Sequence, residues 1–238
     1  MSDPYLLPNS RVLRNLLGIT DSAELDLAEA ELSRASMMLL YEQGFDDFSA
    51  SGIQFIHKAL FGDVYDWAGQ FRLINIQKRE PILAGISVWY ANSDDILRDL
   101  DTAWKSIHAV IWDKLSKTEF VEQLARLFPL QWKAHPFREG NTRTIVMLMT
   151  FFIEHHGFFL DQDLLAKSAG YVRNAFVMAS LDKYAEYEHL ERILMDAISE
   201  TPIEYSDVED DNAASIPEKY SQYQSGDYKP VPHEYREK

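Results

Sequence analysis

Residues 145–153 read Ile-Val-Met-Leu-Met-Thr-Phe-Phe-Ile, an apolar run that leaves no helix face for water. It is far too short to cross a membrane, so it has to be buried inside protein on every side. The segment predicts the central helix of a bundle, and the remaining chain must supply the elements that wrap it.

Those elements show as amphipathic repeats. Leu25, Leu27, Ala28, Leu32, Ala35 and Leu39 recur at helical spacing to Tyr41, behind a Thr20-Asp21 cap and ahead of Gly44. Ile53, Ile56, Leu60 and Phe61 predict a shorter helix ending at Gly62. Ile96, Leu100, Ala103, Trp104, Ile107 and Ile111 mark a third, and Phe120, Val121, Leu124, Leu127 and Phe128 a fourth. Two more, over about 162–179 and 184–198, close the fold. Only 71–88 differs: Phe71 to Ile76 is rich in β-formers, the next stretch is polar and closed by Pro81, and an apolar run follows, which predicts a short hairpin or extended flap. The fold class is all-α with a β-hairpin flap.

With 23 basic against 38 acidic side chains the net charge is −15, which disfavours a partner bound through many phosphates, so nucleic acid is not expected. The chain has no cysteine, which removes thiolate metal sites and cysteine nucleophiles. Met1-Ser2-Asp3-Pro4 has neither a basic start nor a signal-length apolar run, so the expected location is cytoplasmic, with delivery into another cell left open and no membrane partner. From 199 to 238 ten acidic residues face only Lys219, Lys229, Arg236 and Lys238. Few aliphatic residues accompany them, which predicts a tail unable to order itself, and Tyr205, Tyr220, Tyr223, Tyr228 and Tyr235 read as parts of that tail before they read as modification sites. The expected organisation is an N-terminal helical extension (1–48), a core (49–198, active loop 135–143) and the tail (199–238).

The chemistry concentrates in His135-Pro136-Phe137-Arg138-Glu139-Gly140-Asn141-Thr142-Arg143, between an amphipathic helix and the all-apolar one. Gly140, Asn141 and Thr142 form the entry to a buried helix whose first N–H groups need partners, which is an anion site suited to phosphates. Arg143 adds a charge-assisted contact, Glu139 can hold Mg²⁺ between phosphate oxygens, and His135 titrates close enough to neutrality to serve as general base for a hydroxyl nucleophile.

This nonapeptide resembles the signature of Fic proteins: His-Pro-Phe, any residue, an acidic residue, Gly-Asn, usually Gly or Lys, then Arg. Tyr5 to Ser10, Leu60 to Gly69 and Arg72 to Lys78 are similar to the same family in the same order, and the likeness covers about 4–198. The resemblance implies transfer of AMP from ATP to a Ser, Thr or Tyr hydroxyl of a target protein. His135 would be the base and Glu139 the Mg²⁺ ligand. Gly140, Asn141, Thr142 and Arg143 would bind the phosphates, with the Asn141 side chain as an extra donor. Phe137 would anchor the loop, and Ile74, Asn75, Ile76, Gln77 and Lys78 would align the target chain.

Two positions depart from the family pattern. Thr142 replaces the strict glycine, adding a Cβ and a hydroxyl beside the phosphate path. Val146 replaces a second arginine, which removes a contact worth roughly 1.5–3 kcal/mol. These departures keep open a changed donor (phosphoryl or phosphocholine transfer) and a catalytically weak nucleotide-binding protein. The family's inhibitory pattern, Ser or Thr, three residues, Glu, then Gly or Asn, does not occur, so the resemblance implies either a separate small antitoxin that supplies the glutamate or a different control.

Overall fold

The computed structural model describes residues 3–203 and 228–232. Its helices are α1 (Ser22–Gln43), α2 (Ala50–Phe61), α3 (Ile96–His108), α4 (Lys117–Ala134), α5 (Asn141–His155), α6 (Gln162–Lys167), α7 (Ala169–Ala179) and α8 (Glu188–Ala197). Four short strands form two antiparallel pairs: β1 (Asn75–Gln77) with β4 (Lys229–Val231), and β2 (Phe159–Leu160) with β3 (Ile198–Ser199). The architecture is all-α with small two-stranded additions. No described helix is long and apolar enough to cross a membrane.

The all-apolar segment lies where its composition requires. In α5 Ile145 and every residue from Met147 to Ile153 are buried, while α2 and α4 pack on its sides. Rings interlock around Phe152: Trp112, Phe48 and Phe128 approach it nearly edge-on, with centroids 5.0–5.2 Å away. Each such buried apolar side chain contributes about 1.5–3 kcal/mol. Helix starts follow local chemistry. Asp21 caps α1 by accepting from the Glu24 N–H, and Ser49 caps α2 from the Gly52 N–H. At α4, Ser116 and Glu119 form a capping box.

Several sequence expectations change. α3 ends at His108, and Ile111 is 62% exposed, because a 3₁₀ turn at Trp112–Lys114 takes over and buries Trp112 in its place. The helix expected over 162–179 breaks at Ser168, whose N–H closes the last turn of α6. The flap turns back on itself, the Glu80 N–H donating to the Ile86 carbonyl, but it carries one strand only. That strand pairs with residues 229–231 from the tail, Asn75 opposite Val231 and Gln77 opposite Lys229. A segment of this composition cannot order itself alone, but residues 229–231 find a ladder partner on the flap and Tyr228 a burial site, 7% exposed. Tyr205, Tyr220, Tyr223 and Tyr235 lie outside the described residues.

Candidate active site

At the end of α4 the chain reverses hand. His135 adopts φ 46°, ψ 57°, a left-handed conformation uncommon for a residue with a side chain, and Pro136 prevents the helix from continuing. Its backbone is held on both sides: the N–H donates to the Trp132 carbonyl (3.0 Å), and the carbonyl accepts from Arg72 Nε (2.8 Å). The imidazole is fully buried and stacks on Tyr90, centroids 3.9 Å apart. Nδ1 lies 3.2 Å from the Trp132 carbonyl, which can only accept, so Nδ1 carries the proton and Nε2 keeps its lone pair. Burial, reinforced by the Arg72 charge, holds this histidine well below its ordinary pKa and therefore neutral at pH 7.

The loop beyond it is closed by its own residues. Asn141 donates from Nδ2 to the Phe137 carbonyl and accepts at Oδ1 from the Phe137 N–H, both at 2.9 Å. One of the two N–H donors of the Asn141 amide is thus used to close the loop. Phe137 is fully buried and stacks on His57 at 3.7 Å. His57 accepts at Nδ1 from the Gly69 N–H (2.9 Å) and donates from Nε2 to the Glu139 carbonyl (3.0 Å). Burial lowers its pKa to about 3. Gly140 has φ 81°, and a Cβ there would sit 2.4 Å from the Phe61 ring, so only glycine fits.

α5 begins immediately after Gly140, which makes no side-chain cap, and the N–H groups of Asn141, Thr142 and Arg143 have no partner within the helix. The Thr142 hydroxyl faces inward and accepts from Trp132 Nε1 at 2.9 Å. Arg143 is held by α1: it ion-pairs with buried Glu29, donates to Ser33 Oγ at 2.7 Å and lies over the Phe61 ring. Tyr65 donates to the same Glu29 carboxylate. Glu139 accepts at Oε1 from the Gly140 N–H, while its Oε2 is buried without a partner. Burial, with the Glu29 charge nearby, raises the Glu139 pKa.

The flap residues divide. Asn75 and Ile76 are buried, Gln77 is exposed in the strand, and Lys78 is buried with its ammonium 5.0 Å from the Tyr228 ring centroid. Ile74 lends its carbonyl to Arg72 Nη1 at 2.7 Å. The flap is braced from α7, where Arg173 meets buried Glu80 through two bonds of 2.6 and 2.7 Å. Arg173 is a buried brace. Sequence reading missed this role, as it missed Arg72, Glu29 and Arg138. The last is buried, pairs with Asp3 at 2.9 Å and donates to the Tyr228 carbonyl at 3.3 Å. The one signal for Arg72 was its place in the Arg72–Lys78 stretch that resembles the family; Glu29 carried none.

The comparisons with known proteins agree with this architecture. The Fic/DOC family pattern matches residues 47–153. A protein of Sinorhizobium fredii described as a probable protein adenylyltransferase is 32% identical over 69% of this chain and 82% of its own length. The protein adenylyltransferase VbhT of Bartonella schoenbuchensis is 30% identical over 77% of this chain, which there corresponds to 36% of the relative. Among solved structures, the N-terminal Fic domain of a Bep effector from Bartonella quintana superposes with a TM-score of 0.69 at 25% identity, covering 82% of this chain and 91% of that one. BepC of Bartonella tribocorum, solved with bound AMPPNP, shares the fold at TM-score 0.71 and 23% identity, covering 83% and 97%. The chain belongs to the Fic/DOC family.

Proposed function

We propose that this chain is a protein adenylyltransferase, which transfers AMP from ATP to a hydroxyl side chain of a target protein. The observation that carries the reading is a neutral histidine whose free Nε2 already faces a hydroxyl at 2.7 Å, in the loop that leads into the open N-terminus of α5. The names of the relatives and a family structure holding a nucleotide analogue support the same chemistry.

In this reading His135 takes the proton of the attacking hydroxyl at Nε2 as the oxygen bonds to the α-phosphorus, and pyrophosphate leaves. The N–H groups of Asn141, Thr142 and Arg143 stabilise the charge that develops on the phosphate, since they are fixed by the helix and need no reorganisation. Arg143 contributes through what Glu29 and Ser33 leave of its charge and donors. Phe137, Asn141 and His57 keep the loop in shape. Residues 74–78 align an extended target segment by strand pairing, a mode that positions a hydroxyl while reading little sequence.

Mg²⁺ fits the site because Glu139 Oε2 is a buried carboxylate oxygen without a partner. Among the described residues no three His, Asp or Glu side chains converge on a metal position, so the cation would be shared with the nucleotide, as Mg²⁺ prefers. Glu139 would hold it, and it would neutralise charge on the phosphates. The partners in this reading are the target protein and, on the inhibitory side, a separate antitoxin chain; the setting is cytoplasmic. Val146 leaves one arginine fewer for the triphosphate, so ATP affinity is weaker by about ten- to a hundred-fold than with that contact.

The test is incubation of the protein and its His135→Ala variant with cell lysate, Mg²⁺ and ATP labelled at the α- or the γ-phosphate. Label transferred from the α position only, and lost in the variant, is expected. Label from the γ position would make the enzyme a kinase, and label from neither would remove the reading.

A further inference from the structure

The flap strand that should align a target is already paired in this chain. β4 runs antiparallel along β1, Gln77 opposite Lys229, and continuing the register by one pair brings Tyr228 opposite Lys78. Tyr228 is gripped from three directions. Its ring lies 5.0 Å from the Lys78 ammonium and 5.5 Å from the Arg138 guanidinium, its carbonyl accepts from Arg138 Nη2, and its hydroxyl donates to His135 Nε2 at 2.7 Å. The other tyrosines around the loop use their hydroxyls elsewhere: Tyr5 accepts from the Leu73 N–H, Tyr65 donates to Glu29 and Tyr90 to Glu80. Tyr228 is thus the hydroxyl that the structure presents to the base.

We propose that Tyr228 is a modification site within the chain itself: the enzyme transfers AMP to its own Tyr228 hydroxyl before, or in place of, a residue of another protein. The proposal rests on the AMP-transfer reading above. The bond formed joins Tyr228 Oη to the α-phosphorus, the bond broken joins that phosphorus to the oxygen bridging to the β-phosphate, the proton passes to His135 Nε2, and pyrophosphate is released. Burial keeps the free tyrosine protonated, so the base is needed for the hydroxyl to react. Attachment to the same chain replaces a bimolecular encounter with an intramolecular one, which favours this acceptor over a diffusing target. Geometry therefore singles out one of the tail tyrosines that composition left equivalent.

The experiment uses the full chain with Mg²⁺ and α-labelled ATP, alone and with lysate, followed by fragmentation of the tryptic peptide that begins at Tyr220, which distinguishes Tyr228 from Tyr220, Tyr223 and Tyr235. The expected result is one AMP on Tyr228, formed at a rate per chain that does not change on dilution, and lost in both Tyr228→Phe and His135→Ala. In a mixture of those two variants neither chain should be labelled at residue 228. Label on another residue, or on the His135→Ala chain in the mixture, would overturn the proposal. So would an unlabelled Tyr228 in a wild-type protein that does label lysate proteins, and that outcome would leave AMP transfer standing. No transfer to any acceptor, by wild type or by Tyr228→Phe, would end the AMP-transfer reading and this inference with it.

Discussion

His57 and His135 are both fully buried, both neutral and both stacked on an aromatic ring, yet their surroundings assign them opposite tasks. His57, on α2, has each ring nitrogen bonded to backbone, the Gly69 N–H on one and the Glu139 carbonyl on the other. Nothing is left for chemistry, and the ring is a rivet between α2 and the active loop. His135 has one nitrogen on the Trp132 carbonyl and the other on a hydroxyl that arrives from a distant part of the chain. Burial alone therefore does not separate a structural histidine from a base. The distinction is whether the second nitrogen faces a backbone group, which stays, or a side chain, which a substrate can replace.

Substitutions should break this pair in different ways. The largest effect expected is on rate: His135→Ala removes the base and should lower AMP transfer by about 10²–10⁴-fold, a loss that persists at temperatures where the variant is fully folded. Initial rates taken well below the midpoint of a melting curve on the same preparation check this. His57→Ala should act on stability instead. It strands the Gly69 N–H and the Glu139 carbonyl, at about 1–3 kcal/mol for each group left buried and unpaired, and should show as a lower urea midpoint.

Protonation offers a gentler test of the same comparison. Both histidines have folded pKa values below that of the unfolded chain, to about 3 for His57. Below pH 6.5 the unfolded state takes up protons that the folded state refuses, so stability is full above that pH and falls with acidification towards the folded values. From pH 6.5 to 5 the His57 ring should cost about 2 kcal/mol, and that part of the slope should be missing from the His57→Gln variant in urea titrations. The smallest effect expected is at Thr142. Thr142→Val leaves the Trp132 indole N–H without its acceptor, which should cost about 1 kcal/mol, and calorimetry of the variant would show whether that bond forms in solution.

What the sequence disclosed tracks how local each interaction is. The central helix, the amphipathic helices and the loop 135–143 depend on periodicity and on neighbours in sequence, and they were legible. Thr142 was legible as a departure but not in its consequence, because the indole that binds its hydroxyl projects from α4. The remaining site residues come from far away. His57 meets the loop across 82 residues, Glu29 meets Arg143 across 114, and Tyr228 meets His135 across 93. No pattern in one sequence announces such pairs. Residues 228–232 show the limit of composition at this range: a stretch too polar to build its own core can still pair with a strand that another element offers.

His135 is a neutral imidazole with its proton on Nδ1 and a lone pair on Nε2 that faces a hydroxyl, while His57 is neutral with the proton on Nε2. Long-range ¹H–¹⁵N spectra of the histidine side chains at pH 7 test this directly. Two neutral rings of opposite tautomer are expected, with the His135 signals altered in Tyr228→Phe and those of His57 unmoved. A His135 ring protonated on both nitrogens, or on Nε2 alone, would contradict it, because no lone pair would then face the hydroxyl.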